Sequence, residues 1–343
     1  MHEHWMRQAI LMGYTGYTAP NPMVGCAIVR DDKLIALGSH EFAGGAHAEI
    51  DALAKAGQAA RGCDVYVTLE PCAHHGRTPP CADALIAAGV ARVYVAVKDP
   101  GRGAGGIARL RDAGIEVHVG LLAEQAEAMN AVWLHQFRAG SPFVTLKVAM
   151  TVDGRIGPGI ITNEASRMAG RKFRAQHGAV LVGADTVHQD NPELTVRDVD
   201  LPEPPIRIVL DPRRRLSGDL KVFTDGLAPT WRVVADENAQ EGDIPIPLID
   251  GKLDLSAVLA ELTKAGVPGA LVEGGSKTHA EFIRQGLVDR LDLFIAPRCT
   301  GEGPRWEPGR LGGYLVLESR FELENVEAGS KSPDVWLRYA VGR

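Results

Sequence analysis

The chain has 343 residues, 45% hydrophobic and 23% charged, with 37 basic against 43 acidic side chains for a formal charge of −6. That length favours two domains over one, and no apolar run is long enough to span a bilayer. The acidic balance argues against a broad nucleic-acid surface and leaves small-molecule chemistry.

The opening "MHEHWMRQAILMGY" lacks a basic region followed by an apolar core, so no export signal is read and a cytoplasmic location is expected. "MVGCAIVR" and "KLIALGS" then read as strands about a turn at Asp31-Asp32. "HAEIDALAKAG" reads as a helix, "DVYVTLE" as a strand, "CADALIAAG" as a helix and "ARVYVAV" as a strand. "GIARLRDAG" (helix) and "IEVHVG" (strand) follow, then one long helix through "AEQAEAMNAVWLHQF". A hairpin followed by helix–strand alternation implies a mixed sheet with helices on both faces. "RAGSPF" (138 to 143) is polar and carries Gly and Pro, which divides the chain into domains at 1–140 and 141–343.

The second half restarts with the strand "FVTLKVAM" and the helix "EASRMAGRKFRAQHG". Strands "AVLVG", "IRIVLD", "ALVEGG" and "RLDLFIAP" alternate with helices "LDLSAVLAELTKAG" and "KTHAEFIRQG", and "DVWLRYAV" closes the chain as a strand. "LPEPP" (201 to 205) reads as a surface loop. This is a second α/β unit, long enough for its own core. Gly274-Gly275-Ser276 lies between a strand and a helix, where backbone N–H groups can approach a pyrophosphate. No Gly-x-Gly-x-x-Gly follows a strand, so a Rossmann domain is not indicated.

The five cysteines are Cys26, Cys63, Cys72, Cys81 and Cys299, an odd number that suggests reduced thiols free to bind metal. One imidazole and two thiolates leave the fourth position of a zinc ion open for water, which is the catalytic pattern. His47, Cys72 and Cys81 can supply that set. Zinc lowers the pKa of its water, and a carboxylate beside that water can move its proton to a leaving amine. Glu49, two residues from the histidine at a helix start, is the candidate. Zinc deaminases carry His-x-Glu followed by Pro-Cys-x-x-Cys. Here His47-Ala48-Glu49 precedes Pro71-Cys72, but eight residues separate Cys72 from Cys81. The bland alternative is a pair of buried thiols and a polar helix start; His74 and His75 offer other ligands at poorer spacing.

The insert "AHHGRTPP" and the opening "TAPNPMVGCAIV" resemble the bifunctional deaminase-reductase family of riboflavin biosynthesis. So do "FVTLKVAMTVDGRI", "AVLVGADTVHQDNPELTVR" and "LVEGGSKTHAEFIRQGLVDRLDLFIAP", so that the likeness covers nearly the whole chain. The resemblance implies a cytidine-deaminase-like three-layer α/β/α domain followed by a dihydrofolate-reductase-like α/β domain. It implies Zn2+ and NADPH as cofactors and a pyrimidine ribosyl phosphate as substrate, with no nucleic-acid or membrane partner and a homo-oligomer left open. Substrate contacts map to Asn21, His40 and Arg77 in the first half, and to Arg174, Leu194, Arg197 and Glu273 in the second. Cofactor contacts map to Met150, Thr186, Asp190, Gly275, Ser276, Lys277 and Thr278. The chain departs from the family twice. "DPGRGAGG" lacks an Asn after Asp99-Pro100, and "IGPGIIT" is shorter than the family loop, with Pro158 and Ile160 where a Ser and a Trp are usual. The competing readings are a deaminase of another nucleobase with a degenerate second half, and a non-enzymatic protein with structural zinc.

Overall fold

The computed structural model describes residues 1–74, 79–157, 159–197, 201–309, 314–323 and 333–342. It divides into two units, Met1–Ala139 and Gly140–Arg343.

The first unit contains α1 (His2–Gly13), β1 (Gly25–Arg30), β2 (Lys33–Ser39), α2 (Ala48–Ala56), β3 (Asp64–Leu69), α3 (Cys81–Ala88), β4 (Arg92–Val97), α4 (Gly106–Asp112), β5 (Glu116–Val119), α5 (Ala123–Met129) and α6 (Ala131–Ala139). Its five strands run in the order β2-β1-β3-β4-β5, antiparallel across the first two pairings and parallel thereafter. Asp31 and Asp32 both have positive φ (49° and 57°), the mirror-image turn whose twist suits a two-residue hairpin. Alternation along the strands builds two cores. Cys26, Ile28, Val65, Val67, Val93 and Val95 face residues of α2, α3 and α4, while Ala27, Val29, Tyr66, Tyr94 and Ala96 face Met6, Ala9, Ala126 and Met129 of α1 and α5. The result is a three-layer α/β/α sandwich. Helix α1, in a stretch the sequence analysis left without an element, forms one of the outer layers.

The long helix expected over 123–137 is instead two helices broken at Asn130. The Asn130 side chain accepts from the Met23 N–H and donates to the Met23 carbonyl, each at 2.8 Å. That buried pair satisfies a backbone segment 107 residues away, at the residue where α5 gives way to α6.

The second unit contains β6 (Phe143–Thr151), α7 (Glu164–His177), β7 (Ala179–Gly183), α8 (Ala184–Asp190), β8 (Ile206–Leu210), α9 (Lys221–Thr224), β9 (Thr230–Ala235), β10 (Ile244–Ile246), a small ribbon of β11 (Leu248–Ile249) and β12 (Lys252–Leu253), α10 (Leu255–Lys264), β13 (Gly269–Val272), α11 (Ser276–Arg284), β14 (Arg290–Ala296), β15 (Tyr314–Leu323) and β16 (Asp334–Gly342). Nine strands form one sheet in the order β10-β9-β8-β7-β13-β6-β14-β16-β15. The seven strands β10-β9-β8-β7-β13-β6-β14 are parallel, and β16 runs antiparallel to both neighbours. The sequence analysis missed β9, β10, β11, β12 and β15, as well as helices α8 and α9. Strand β15 is an edge strand carrying "ESR" between its apolar ends, so the period-2 signal is interrupted. The parallel strands read as near-continuous apolar runs because the sheet is covered on both faces.

Candidate functional site

Two side-chain constellations stand out, one in each unit. In the first, α2 lies close over β2 because Gly38 has no side chain: a Cβ there would stand 2.2 Å from the Ala48 carbonyl oxygen. This packing presents the first turn of α2 at the end of the sheet. His47 is its N-cap in extended conformation, and Glu49 lies buried in the first turn. Cys72 follows β3, and Cys81 opens α3. The Cys81 N–H donates to Cys72 Sγ at 3.3 Å and the Ala82 N–H to the Cys72 carbonyl at 3.2 Å, so the start of α3 grips the Cys72 loop.

His47 Nδ1 stands 3.2 Å from Cys81 Sγ and 3.6 Å from Cys72 Sγ. The three ligand atoms all lie within 4.8 Å of one another. The protonation pattern tests whether a metal suits them. The Cys72 thiol is pulled down to about 4, chiefly by the hydrogen bond from Cys81 and against its burial, with His47 assisting. The Cys81 thiol is pushed up by the same bond and by burial. The bare pair therefore holds one negative charge, and a divalent cation would let both sulfurs ionise. The donor set fits zinc with an open position. Burial raises the Glu49 carboxyl above its ordinary range, opposed by hydrogen bonding and by His47. A carboxyl raised in this way sits closer to the pKa that proton shuttling needs.

Asn21 and His40 adjoin this set. The His40 ring meets that of His47 edge-on, with centroids 5.5 Å apart. His40 is buried, its Nδ1 2.9 Å from the Ala46 carbonyl and its Nε2 3.3 Å from Asn21 Nδ2, whereas Asn21 is exposed. Arg77 lies outside the described residues. Glu70 went unremarked in the sequence, yet it is buried and accepts from the N–H groups of Asp99, Gly105 and Ile107 at 3.3, 2.9 and 3.1 Å. It thereby fastens the shortened "DPGRGAGG" loop beside Pro71, whose carbonyl oxygen would stand 1.7 Å from a Cβ on Gly106.

The second constellation gathers where β6, β7 and β13 end. Arg174 of α7 meets Glu273, just past β13, in a two-point fork at 2.7 and 3.0 Å, and also donates to the Thr195 carbonyl at 2.7 Å. Three of its five N–H groups are thus taken within the protein. Burial raises the Glu273 carboxyl, but Arg174 and then Lys147 outweigh it and hold the group down at about 2. Lys147, which the sequence analysis missed, makes no hydrogen bond or ion pair among the described residues. Its ammonium stands 5.5 Å from the centre of the Phe294 ring, and burial pushes its pKa down. A lysine inside the apolar strand "FVTLKVAM" was the signal that could have found it.

Leu194 is a buried core residue with φ of 54°, so its backbone rather than its side chain is available to a ligand. Its segment is pinned on both sides: the buried Arg207 donates to the Glu193 carbonyl at 3.0 Å and Arg174 to that of Thr195. Arg197, by contrast, is exposed and 3.5 Å from Glu193. Thr186 and Asp190 lie one turn apart on α8, and Met150 is half-buried on β6.

Thr278 fills the space between Gly183 and Gly274, where a Cβ on either would come within 2.6 Å of it. The Ser276 hydroxyl is occupied by the Arg305 carbonyl (2.9 Å) and the Glu307 N–H (3.0 Å), and Lys277 reaches Asp185 at 3.1 Å. A Cβ on Gly275 would meet nothing within 4 Å. The open backbone at the start of α11 suits a dinucleotide phosphate, and the side chains of Ser276 and Thr278 serve the fold. Ile160, in the shortened loop, is 70% exposed, and Pro158 lies outside the described residues.

A deaminase-type metal site in one α/β unit, with a phosphate-ready strand–helix turn in the next, defines a two-site enzyme of nucleotide-like substrates. Residues 1–97 match the cytidine and deoxycytidylate deaminase zinc-binding region, and residues 142–331 the RibD C-terminal domain. The riboflavin biosynthesis protein RibD of Bacillus amyloliquefaciens is 40% identical, covering 98% of this chain and 95% of that one. That of Escherichia coli is 39% identical, covering 98% of each. The Acinetobacter baumannii RibD structure (form 1) superposes with a TM-score of 0.81 at 35% identity, covering 99% of both chains. A Thermotoga maritima structure, described as a diaminohydroxyphosphoribosylaminopyrimidine deaminase/5-amino-6-(5-phosphoribosylamino)uracil reductase, gives 0.79 at 30% identity, covering 99% of each chain. The chain belongs to the RibD family of bifunctional deaminase-reductases of riboflavin biosynthesis. Zinc and NADPH are the cofactors of the two halves in that family. Among the described residues, no helix is long and apolar enough to cross a membrane.

Proposed function

We propose that residues 1–140 hydrolyse the 2-amino group of 2,5-diamino-6-(5-phosphoribosylamino)pyrimidin-4-one, and that residues 141–343 reduce the ribosyl group of the resulting pyrimidinedione to ribityl with NADPH. The observation that carries the first step is the convergence of His47, Cys72 and Cys81 beside a buried Glu49. Zinc held by those three residues would supply hydroxide near neutral pH. Glu49 takes a proton from the attacking water and hands it to the leaving ammonia, and its raised carboxyl suits both transfers. Asn21, the exposed member of the Asn21–His40 pair, meets the pyrimidine edge, and Arg77 takes the phosphate.

In the second half, bound NADPH would supply the hydride for the anomeric carbon of the sugar. The chain's task there is to orient the substrate and exclude water. The Gly275 turn with Thr186, Asp190, Met150, Ser276, Lys277 and Thr278 receives the dinucleotide. Arg197 and the remaining N–H groups of Arg174 grip the sugar phosphate. Glu273 and Lys147 form the polar pair beside the sugar, with the Leu194 backbone lining the same site. A cytoplasmic location accords with this chemistry and with the bacterial relatives.

Purified protein supplied with the diaminopyrimidine phosphate should release ammonia without NADPH and form the ribityl product only with it. No ammonia from this substrate, alongside activity on another base, would favour the nucleobase deaminase reading.

A further inference from the structure

The loop after β14 is fastened on two sides. Arg155 donates to the Gly301 and Gly303 carbonyls at 3.0 and 2.7 Å, and the Trp306 N–H donates to the Gly154 carbonyl at 2.9 Å, so the loop lies along the turn that follows β6. On its other side, Ser276 Oγ donates to the Arg305 carbonyl at 2.9 Å and accepts from the Glu307 N–H at 3.0 Å. Trp306 is thereby held between the end of β6 and the first turn of α11.

Its indole is aimed by His279. That ring is 1% exposed, with Nε2 3.2 Å from the Val272 carbonyl and Nδ1 3.1 Å from Trp306 Nε1. A carbonyl only accepts and an indole N–H only donates, so the two contacts fix the ring: Nε2 carries the hydrogen and Nδ1 the lone pair. The rings meet edge-on at 78°, their centroids 6.3 Å apart. Trp306 packs against the same core as Met150 and Ile156, yet it is only partly buried, so ring surface stays open near the Gly275 turn.

The strand order β7-β13-β6-β14 puts Thr186 and Asp190 on one side of that turn and Met150 and Trp306 on the other. A dinucleotide with its pyrophosphate at Gly275 reaches to both sides. Its reacting end must face the sugar beside Lys147, which is also on β6, so the nicotinamide half belongs on the Trp306 side. We infer that Trp306 is a cofactor contact whose open ring surface packs against the nicotinamide half of NADPH, and that His279 is the positioning residue that holds the indole there. This rests on the reading of residues 141–343 as an NADPH-dependent reductase.

Calorimetric titration, without turnover, tests it with two ligands: NADPH, and adenosine 2′,5′-bisphosphate, which is the adenine half alone. Trp306→Ala should weaken NADPH about three- to tenfold, the worth of one aromatic contact, and leave the bisphosphate unchanged. Trp306→Phe, which keeps a ring without the N–H, should shift the same ligand by less, and it repeats the comparison should the alanine variant lose its fold. His279→Ala should weaken NADPH by no more than Trp306→Ala does, and the double variant should bind as Trp306→Ala alone. Unchanged NADPH affinity in Trp306→Ala would overturn the inference. Equal weakening of both ligands would also overturn it, because Trp306 would then be supporting the turn and not touching the nicotinamide half. Effects that multiply in the double variant would remove His279 from its positioning role. No NADPH binding by the parent chain would instead overturn the reductase reading itself, so the two failures are distinguishable.

Discussion

Replacing Glu273 by glutamine removes the charge that Arg174 and Lys147 share and leaves the side-chain shape almost intact. The Arg174–Glu273 side chains are 13% and 12% exposed, and the contact is a two-point fork, so solvent can replace little of it. Breaking a buried pair by removing one partner costs about 3–5 kcal/mol, because the other charge is stranded. The carboxyl itself gives an independent magnitude. It is held at about 2 against an ordinary 4.5, and at roughly 1.36 kcal/mol per pKa unit this amounts to about 3 kcal/mol. The folded-state value lies below the unfolded one, so the unfolded chain binds the extra proton. The stability is therefore present above pH 4.5 and is lost as the pH falls toward 2. Urea unfolding of the full chain, with the transition of the reductase unit followed separately, should show Glu273→Gln less stable by about 3 kcal/mol at pH 7 and flatter than the parent between those pH values. Pairing Arg174→Met with Glu273→Leu should recover most of the loss. A loss under about 1 kcal/mol, or an undiminished acid dependence, would show that water reaches the fork and that the pair does not hold α7 to β13.

Glu49→Gln should retain zinc and deaminate more slowly by at least the ~10²–10⁴ typical of one acid–base group, since Glu49 serves two transfers; a near-parental rate would remove it from the mechanism. Zinc binding to the apoprotein should release at least one proton at neutral pH, because the Cys81 thiol and the His47 ring are both held above their ordinary ranges and must each give up a proton to ligate. Calorimetry in buffers of different ionisation enthalpy measures this, and zero release would contradict the shared-proton pair. Chelating that zinc should stop ammonia release while reduction of supplied pyrimidinedione continues, and equal loss of both activities with the fold intact would argue against separate sites. NADPH should bind about tenfold more weakly than to a relative with the full loop, since Ile160 is exposed and offers no stacking, a contact worth roughly 0.5–1.5 kcal/mol. Fluorescence titration checks it, and no binding at millimolar NADPH would sink the reductase half.

Much of this protein is legible along the chain because the information is local. The Asp31-Asp32 turn, the period-2 strands and the His-x-Glu helix start each depend on residues within a few positions of one another. The zinc set could be read because its members are rare residue types placed at strand and helix ends. What the tertiary structure decided is how distant groups share hydrogen bonds and charge. Nδ1 of His47 faces the sulfurs because α2 and α3 converge from separate segments, and only that meeting makes one thiol a donor to the other. Arg174 reads as a free phosphate clamp until Glu273, 99 residues on, occupies its fork. The helix over 123–137 reads as continuous, yet it divides in two at Asn130, whose side chain pairs with the backbone of Met23. Each of these outcomes turns on one polar group having to be satisfied by another far away in sequence, and neither periodicity nor spacing records that requirement.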